Sequence, residues 1–246
     1  MVEAADEATA NEIRDRLAYR YPHASAASLP AKLTATLYKR LLAEEEAAHA
    51  VAEIRPTRHA HFEKPKFTEA HRTLSPTERG TATHLAMQLL PLRAYETENE
   101  VAAELEKLHR RGSLTAQETE AIRPGALLTF YQTSVGRTIT ALPKERVWRE
   151  FKFSLLTPAT KYFPENGGDE TLLLQGVADL FYETDAGELV VVDFKTDHVT
   201  PATSPMRAQA YAPQLAIYAD ALSEITGKRV AEKYLWFFAT GELIKV

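Results

Sequence analysis

The sequence predicts an α/β fold, helices packed on a central sheet, and three observations predict it. Helix-start signals recur through the first half of the chain. From about residue 146 the pattern changes to the period-two alternation of strands. A long helical stretch then stands between the third and the last of these strands.

Taken in order, residues Ala8 to Tyr19 read as a helix, YPHASAASLPAK as an irregular stretch, and Thr36 to His49 as a helix rich in Ala, Glu and Leu. Residues 50 to 70 hold two prolines and no periodicity and read as an extended linker. In SPTERGTATHLAMQLLP, Ser75 is an N-cap, Pro76 takes the first helical position and Glu78 closes a capping box. That helix carries His84. Thr97 with Glu100 and Thr115 with Glu118 repeat the capping signature, so the chain is helical to about Ser134 and changes texture after Gly136. RVWREFKFSLL, TLLLQGVADLFYET and ELVVVDFKT then read as three strands. Between the last two, Asp185-Ala186-Gly187 suits a three-residue hairpin loop with its glycine left-handed. RAQAYAPQLAIYADALSEITG is a helix closing at Gly227, and KYLWFFAT is the final strand. The domain division expected is an N-terminal part, 1–70, leading into a domain at 71–246, helical over 71–135 and sheet-bearing over 136–246.

Composition narrows the chemistry. The chain has no cysteine, which removes disulfides, zinc-thiolate sites, iron–sulfur clusters and cysteine nucleophiles. None of its ten glycines sits in a G-x-x-x-x-G-K-[ST] loop, so no ATP site of that type is expected. No apolar run approaches the ~20 residues a membrane span needs, and MVEAADEATANEIRDR is acidic where a signal peptide is basic, so a cytoplasmic protein is expected. The net charge of −5 offers no global attraction to nucleic acid. It does not exclude a local basic groove beside an acidic metal site.

The stretch VVVDFKTD places two acids and a lysine at the end of a buried strand, where neither charge is cheap to desolvate. Centring the hairpin on Ala186 sets Asp179 opposite Asp193, with Lys195 two residues on and on the same face. A bulge at Gly187 would shift this register by one residue. Opposed like charges repel unless a cation or a proton lies between them. Spacing alone leaves two readings open: a seat for a hard divalent cation, or an ion-paired sheet end in which Lys195 neutralises one Asp and solvent the other.

GVADLFYE followed by VVVDFKTD resembles the G-x-x-D … D-x-K core of the PD-(D/E)-x-K nucleases, and more closely the RecB-type nuclease domain. RGTATHLAMQ, QLAIYADAL and the tail KYLWFFATGELIKV support the likeness, and LPAKLTATLYKR resembles the segment that leads into this domain in AddA/RexA helicase–nuclease subunits. The resemblance implies a restriction-endonuclease-like mixed central sheet flanked by helices. It implies metal ligation by His84, Asp179, Asp193 and the backbone carbonyl of Phe194, a water-orienting and charge-stabilising Lys195, and a site-lining Gln214 and Tyr218, with Glu150 at the site's edge. Tyr211, Gln214 and Tyr218 also share one helical face by spacing. The implied cofactor is Mg²⁺, with Mn²⁺ as substitute.

The function that follows from the resemblance is metal-dependent hydrolysis of DNA phosphodiesters by an exonuclease acting on single-stranded ends. It would belong to an ATP-dependent helicase–nuclease of double-strand break repair and recombination. Expected partners are DNA, a motor region and a second nuclease-bearing subunit, with no membrane. The motor is not in this sequence, so the chain is either an excised domain or a short protein needing a separate motor. The lack of cysteine sets it apart from relatives with an iron–sulfur cluster. The rivals are a catalytically weak DNA-binding or subunit-docking module, and a structural protein with an ion-pair network. His59 and His61 read as surface residues, Lys144, Arg146 and Arg149 as either a phosphate track or a solvated face, and Trp236 as part of a buried strand.

Overall fold

The computed structural model describes residues 7–19, 21, 26–27, 29–49 and 74–246. The chain forms two compact units, Met1–Leu33 with Leu155–Leu174, and Thr34–Ser154 with Gln175–Val246. In the first, α1 (Glu7–Ala18) buries none of its residues. There the N–H of Leu173 donates to the carbonyl of Ala31 at 3.0 Å, and that of Ala159 to Glu170 at 2.8 Å. The linker expected at 50–70, with His59 and His61, lies outside the described residues.

The second unit opens with α2 (Ala35–His49), whose first turn is held by a hydrogen bond from the Leu37 N–H to the Thr34 hydroxyl at 3.2 Å. Five helices follow: α3 (Pro76–Leu89), α4 (Glu98–Arg110), α5 (Ala116–Ala121), α6 (Pro124–Tyr131) and α7 (Ser134–Ala141). The boxes at Ser75/Glu78 and Thr115/Glu118 form as expected. The box at Thr97 forms only by half. Thr97 accepts from the Glu100 N–H, but the Glu100 carboxylate accepts from the N–H of Glu96 at 2.8 Å instead of closing on its own cap. Gly136 does not end the helical region either. It lies inside α7, where a Cβ would stand 2.2 Å from the carbonyl oxygen of Phe130, so the glycine permits close packing of α7 on the end of α6.

The strands are β1 (Lys32–Thr34), β2 (Val147–Pro158), β3 (Thr171–Glu183), β4 (Leu189–Lys195), β5 (Val230–Phe237) and β6 (Glu242–Lys245), with α8 (Ser204–Thr226) between β4 and β5. They form a six-stranded sheet in the order β1-β3-β4-β5-β6, with β2 on β3. β3 and β4 are antiparallel, β4 and β5 parallel, β5 and β6 antiparallel, so the sheet is mixed. A parallel pair requires a crossover, and α8 supplies it. β1 and β6, three and four residues long, were not anticipated, because such short strands carry too few residues to show alternation.

Period-two alternation splits the core into two layers. Leu180, Tyr182, Val190, Val192, Phe194 and Trp236 pack with residues of α3, α4, α6 and α7 in one cluster. On the other face Leu235 and Phe237 pack with Ala208, Tyr211 and Leu215 of α8. The hairpin register is the one expected, Leu180 opposite Val192 and Glu183 opposite Leu189. Gly187 takes the left-handed conformation at φ 76°, and Gly227 ends α8 at φ 69°.

Candidate active site

The site lies at the C-terminal end of β4, where the buried strand meets α8. Asp193 is 2% exposed and is held from two sides. Its Oδ2 lies 2.6 Å from Lys195 Nζ, and its Oδ1 accepts from Gln214 Nε2 at 3.3 Å. Gln214 ties the group together: its Oε1 accepts from Lys195 Nζ at 3.3 Å, and its Nε2 also donates to the Tyr218 hydroxyl at 2.8 Å. Burial raises the pKa of Asp193, against the lowering pull of Lys195, and burial likewise raises that of Tyr218. The three α8 residues expected on one face are therefore together, with Tyr211 over Lys195, Nζ to ring centre 4.2 Å.

Asp179 is placed differently from a simple cross-strand partner of Asp193. Its Oδ2 accepts the backbone N–H of Phe194 at 2.7 Å, and its Oδ1 lies 3.4 Å from His84 Nδ1. The carboxylate thus turns to a backbone donor and an imidazole. His84 arrives on α3, whose register against the sheet is permitted by Gly80: a Cβ there would lie 2.7 Å from Thr196 Oγ1. Burial works to lower the pKa of His84, but the hydrogen bond and charge of Asp179, with Asp193 and Glu150, raise it above its ordinary value.

Glu150 enters from β2. One ligand atom each from His84, Glu150 and Asp179 lie within 4.8 Å of one another, a set able to hold a metal ion. Burial and the nearby Asp179 raise the pKa of Glu150. These three side chains line a groove of about 570 Å³ together with Thr77, Thr81, Asp197 and His198. The set is rich in hard oxygen donors with one imidazole, which suits Mg²⁺ or Mn²⁺. Glu150 is a half-buried carboxylate whose charged form is disfavoured, which a cation would relieve, so the residues fit the ion.

Some residues near the site carry no motif that assigns them in the sequence. Asp197, the last residue of VVVDFKTD, accepts from Arg207 Nε at 2.8 Å and from the Tyr211 hydroxyl at 2.7 Å, and these bonds hold its pKa below the usual range despite partial burial. The i, i+4 spacing of Arg207 and Tyr211 was the available signal. Arg146 and Arg149 are not free for a phosphate track. Arg146 binds Asp185 and the Glu183 carbonyl, and Arg149 donates to the carbonyls of Met87 and Leu90 at the end of α3. Trp236 is fully buried, as expected.

A profile of the PD-(D/E)XK nuclease superfamily matches residues 55–245. The chain is 32% identical over 241 residues to an ATP-dependent helicase/nuclease subunit of Clostridium acetobutylicum, covering 96% of this chain and 19% of that protein. It is 34% identical over 241 residues to the corresponding subunit of Clostridium botulinum, covering 96% and 18%, and 34% identical over 244 residues to that of Desulforamulus reducens, covering 98% and 19%. The chain therefore spans about a fifth of the length of these relatives. No helix among the described residues is long and apolar enough to cross a membrane.

Proposed function

Because this chain belongs to the PD-(D/E)XK nuclease superfamily, we propose that it is a divalent-metal-dependent deoxyribonuclease. It would act as an exonuclease on single-stranded DNA ends within an ATP-dependent helicase–nuclease that processes double-strand breaks. The observation that carries this reading is the convergence of His84, Glu150 and Asp179 beside the Lys195–Asp193 pair. An ion-pair network alone would need neither the imidazole nor the third carboxylate.

In this reading His84, Asp179 and Glu150 hold the metal, and Asp193 and the Phe194 carbonyl complete the set. When bound, the cation supplies Lewis acidity toward a phosphoryl oxygen and lowers the pKa of water. The chain's own residues do the rest. The Phe194 N–H fixes the Asp179 carboxylate, so the ligand is oriented before the substrate arrives. Gln214 holds Lys195 and Asp193 in one geometry, and Tyr218 fixes Gln214 in turn. Lys195, 13% exposed at its side chain, keeps an ammonium at the strand end where negative charge develops on the phosphoryl group during in-line attack.

The test is degradation of end-labelled single-stranded DNA by the purified chain with Mg²⁺, Mn²⁺ or EDTA. Metal-dependent cleavage is expected, with Lys195→Ala lowering it at least 10²-fold, the scale of losing one preorganised charge-stabilising group. Cleavage that persists in EDTA or survives the substitution would overturn the assignment. A folded wild-type chain that binds Mn²⁺ but cleaves nothing would leave the docking-module reading in its place.

A further inference from the structure

Three cations converge on the ring of Tyr211, and two of them have a carboxylate. Lys195 is paired with Asp193, and Arg207 with Asp197. The third is Lys39 of α2. Its Nζ stands 3.3 Å from the ring centre, against 4.2 Å for Lys195 Nζ and 5.2 Å for the Arg207 guanidinium carbon. Among the described residues Lys39 has no acidic partner. An aromatic face attracts a cation, but more weakly than a carboxylate does. Half-burial and the neighbouring Arg207 and Lys195 accordingly lower its pKa to about 8, with Asp197 and Asp193 pulling the other way.

A lysine that merely lays its stem on an aromatic ring keeps its ammonium in water, away from like charges. Lys39 does the opposite: it is half-buried, beside two other cations. An anion is the missing term. Both Lys39 and Lys195 lie on one ring, so their ammonium groups are no further apart than the sum of their two distances to it. That bound keeps Lys39 beside the lysine assigned to the scissile phosphodiester. We propose that Lys39 binds a phosphate of the nucleic-acid strand flanking the scissile phosphodiester, from a helix that precedes the residues matched by the superfamily profile. The inference rests on the nuclease reading above and adds to it a substrate-binding group outside the matched residues.

The experiment measures binding of a fluorescein-labelled single-stranded 20-mer by anisotropy, in Ca²⁺ to suppress cleavage, across a salt series. Lys39→Gln is expected to weaken binding about tenfold and to flatten the slope of log K against log salt by about 0.7, the value of one released counterion on a single strand. Lys39→Arg should restore both. In cleavage assays Lys39→Gln should raise KM more than it lowers kcat. A purely structural lysine would leave the salt slope unmoved, and an unchanged affinity and slope in Lys39→Gln would overturn the inference while leaving the nuclease reading intact. Should Lys39→Gln not fold, wild type and Lys39→Arg decide it. Affinity of wild type should fall from pH 7 to pH 9 as Lys39 loses its proton, and that of Lys39→Arg should not. The groups facing Lys39 are Arg207 and Tyr211 from α8, Lys195 and Asp193 from β4, and Asp197. Wild-type affinity that is flat over this range sinks the inference. A wild-type chain that binds no DNA removes both readings together.

Discussion

Glu150 stands at φ 51°, in the left-handed region that a non-glycine residue enters only at a cost. The strain is on the order of 1–3 kcal/mol, and such outliers cluster at functional sites. Here the distortion falls in β2 at the residue whose carboxylate joins His84 and Asp179. Its pKa is raised, so the folded chain without metal disfavours the charge that a cation would reward. Glu150→Gln is therefore expected to leave stability in EDTA unchanged or higher at pH 7, by removing a carboxylate crowded against Asp179. The same substitution should weaken Mn²⁺ binding at least tenfold, about 1.4 kcal/mol. Urea denaturation and calorimetric titration check the two halves. A loss of metal-free stability would show that Glu150 is structural. Strand alternation could place Glu150 near the site, but no sequence signal announces a left-handed turn within a strand.

At the scale of elements, the glycine of the G-x-x-D motif has its reason in a neighbouring strand. A Cβ on Gly176 of β3 would lie 2.4 Å from the Phe153 ring of β2. That ring makes an edge contact with Tyr218 of α8, centroids 5.9 Å apart, and Tyr218 holds Gln214. Gly176→Ala thus pushes on a chain of contacts ending at the Lys195–Asp193 pair. A cost of ~1–3 kcal/mol is expected, as for other overpacked interiors. Cleavage should fall more than this stability loss alone explains, because Gln214 shifts. The pair Gly176→Ala and Phe153→Leu, measured by urea denaturation and single-turnover cleavage, isolates the effect: the smaller side chain should restore both. No recovery in the double variant would disconnect Phe153 from the site. The glycine was legible in the sequence as a motif; the ring that requires it was not, since Phe153 and Gly176 are joined only by the pairing of β2 with β3.

For the whole molecule, a net charge of −5 means that any hold on DNA is local. It also means that the acidic pocket at the end of β4 adds to the self-repulsion of the folded state. A divalent ion that binds only the folded chain should stabilise it by mass action, about 2.7 kcal/mol at a hundredfold excess over Kd. Thermal unfolding with Mn²⁺ should show this gain in wild type and none in Asp179→Ala. Equal shifts in both would place the bound ion elsewhere. The expectation applies to this chain, about a fifth of the length of its helicase/nuclease relatives, and does not depend on the remainder.

The order of the elements, the short strands β1 and β6 apart, and the hairpin register follow from the sequence by itself. Alternation, caps and the Asp185-Ala186-Gly187 turn act within a few residues, and a register with period two leaves no freedom once one turn is placed. The D-x-K core and His84 were likewise visible as short motifs. Tertiary structure alone decided that Asp179 turns to the Phe194 N–H, that Glu150 comes together with His84 and Asp179 and that Lys39 reaches the ring of Tyr211. The last two contacts join residues far apart in the chain, and the first depends on where the β3–β4 pairing ends. Each is set by how helices and strands pack, which no local window of sequence contains.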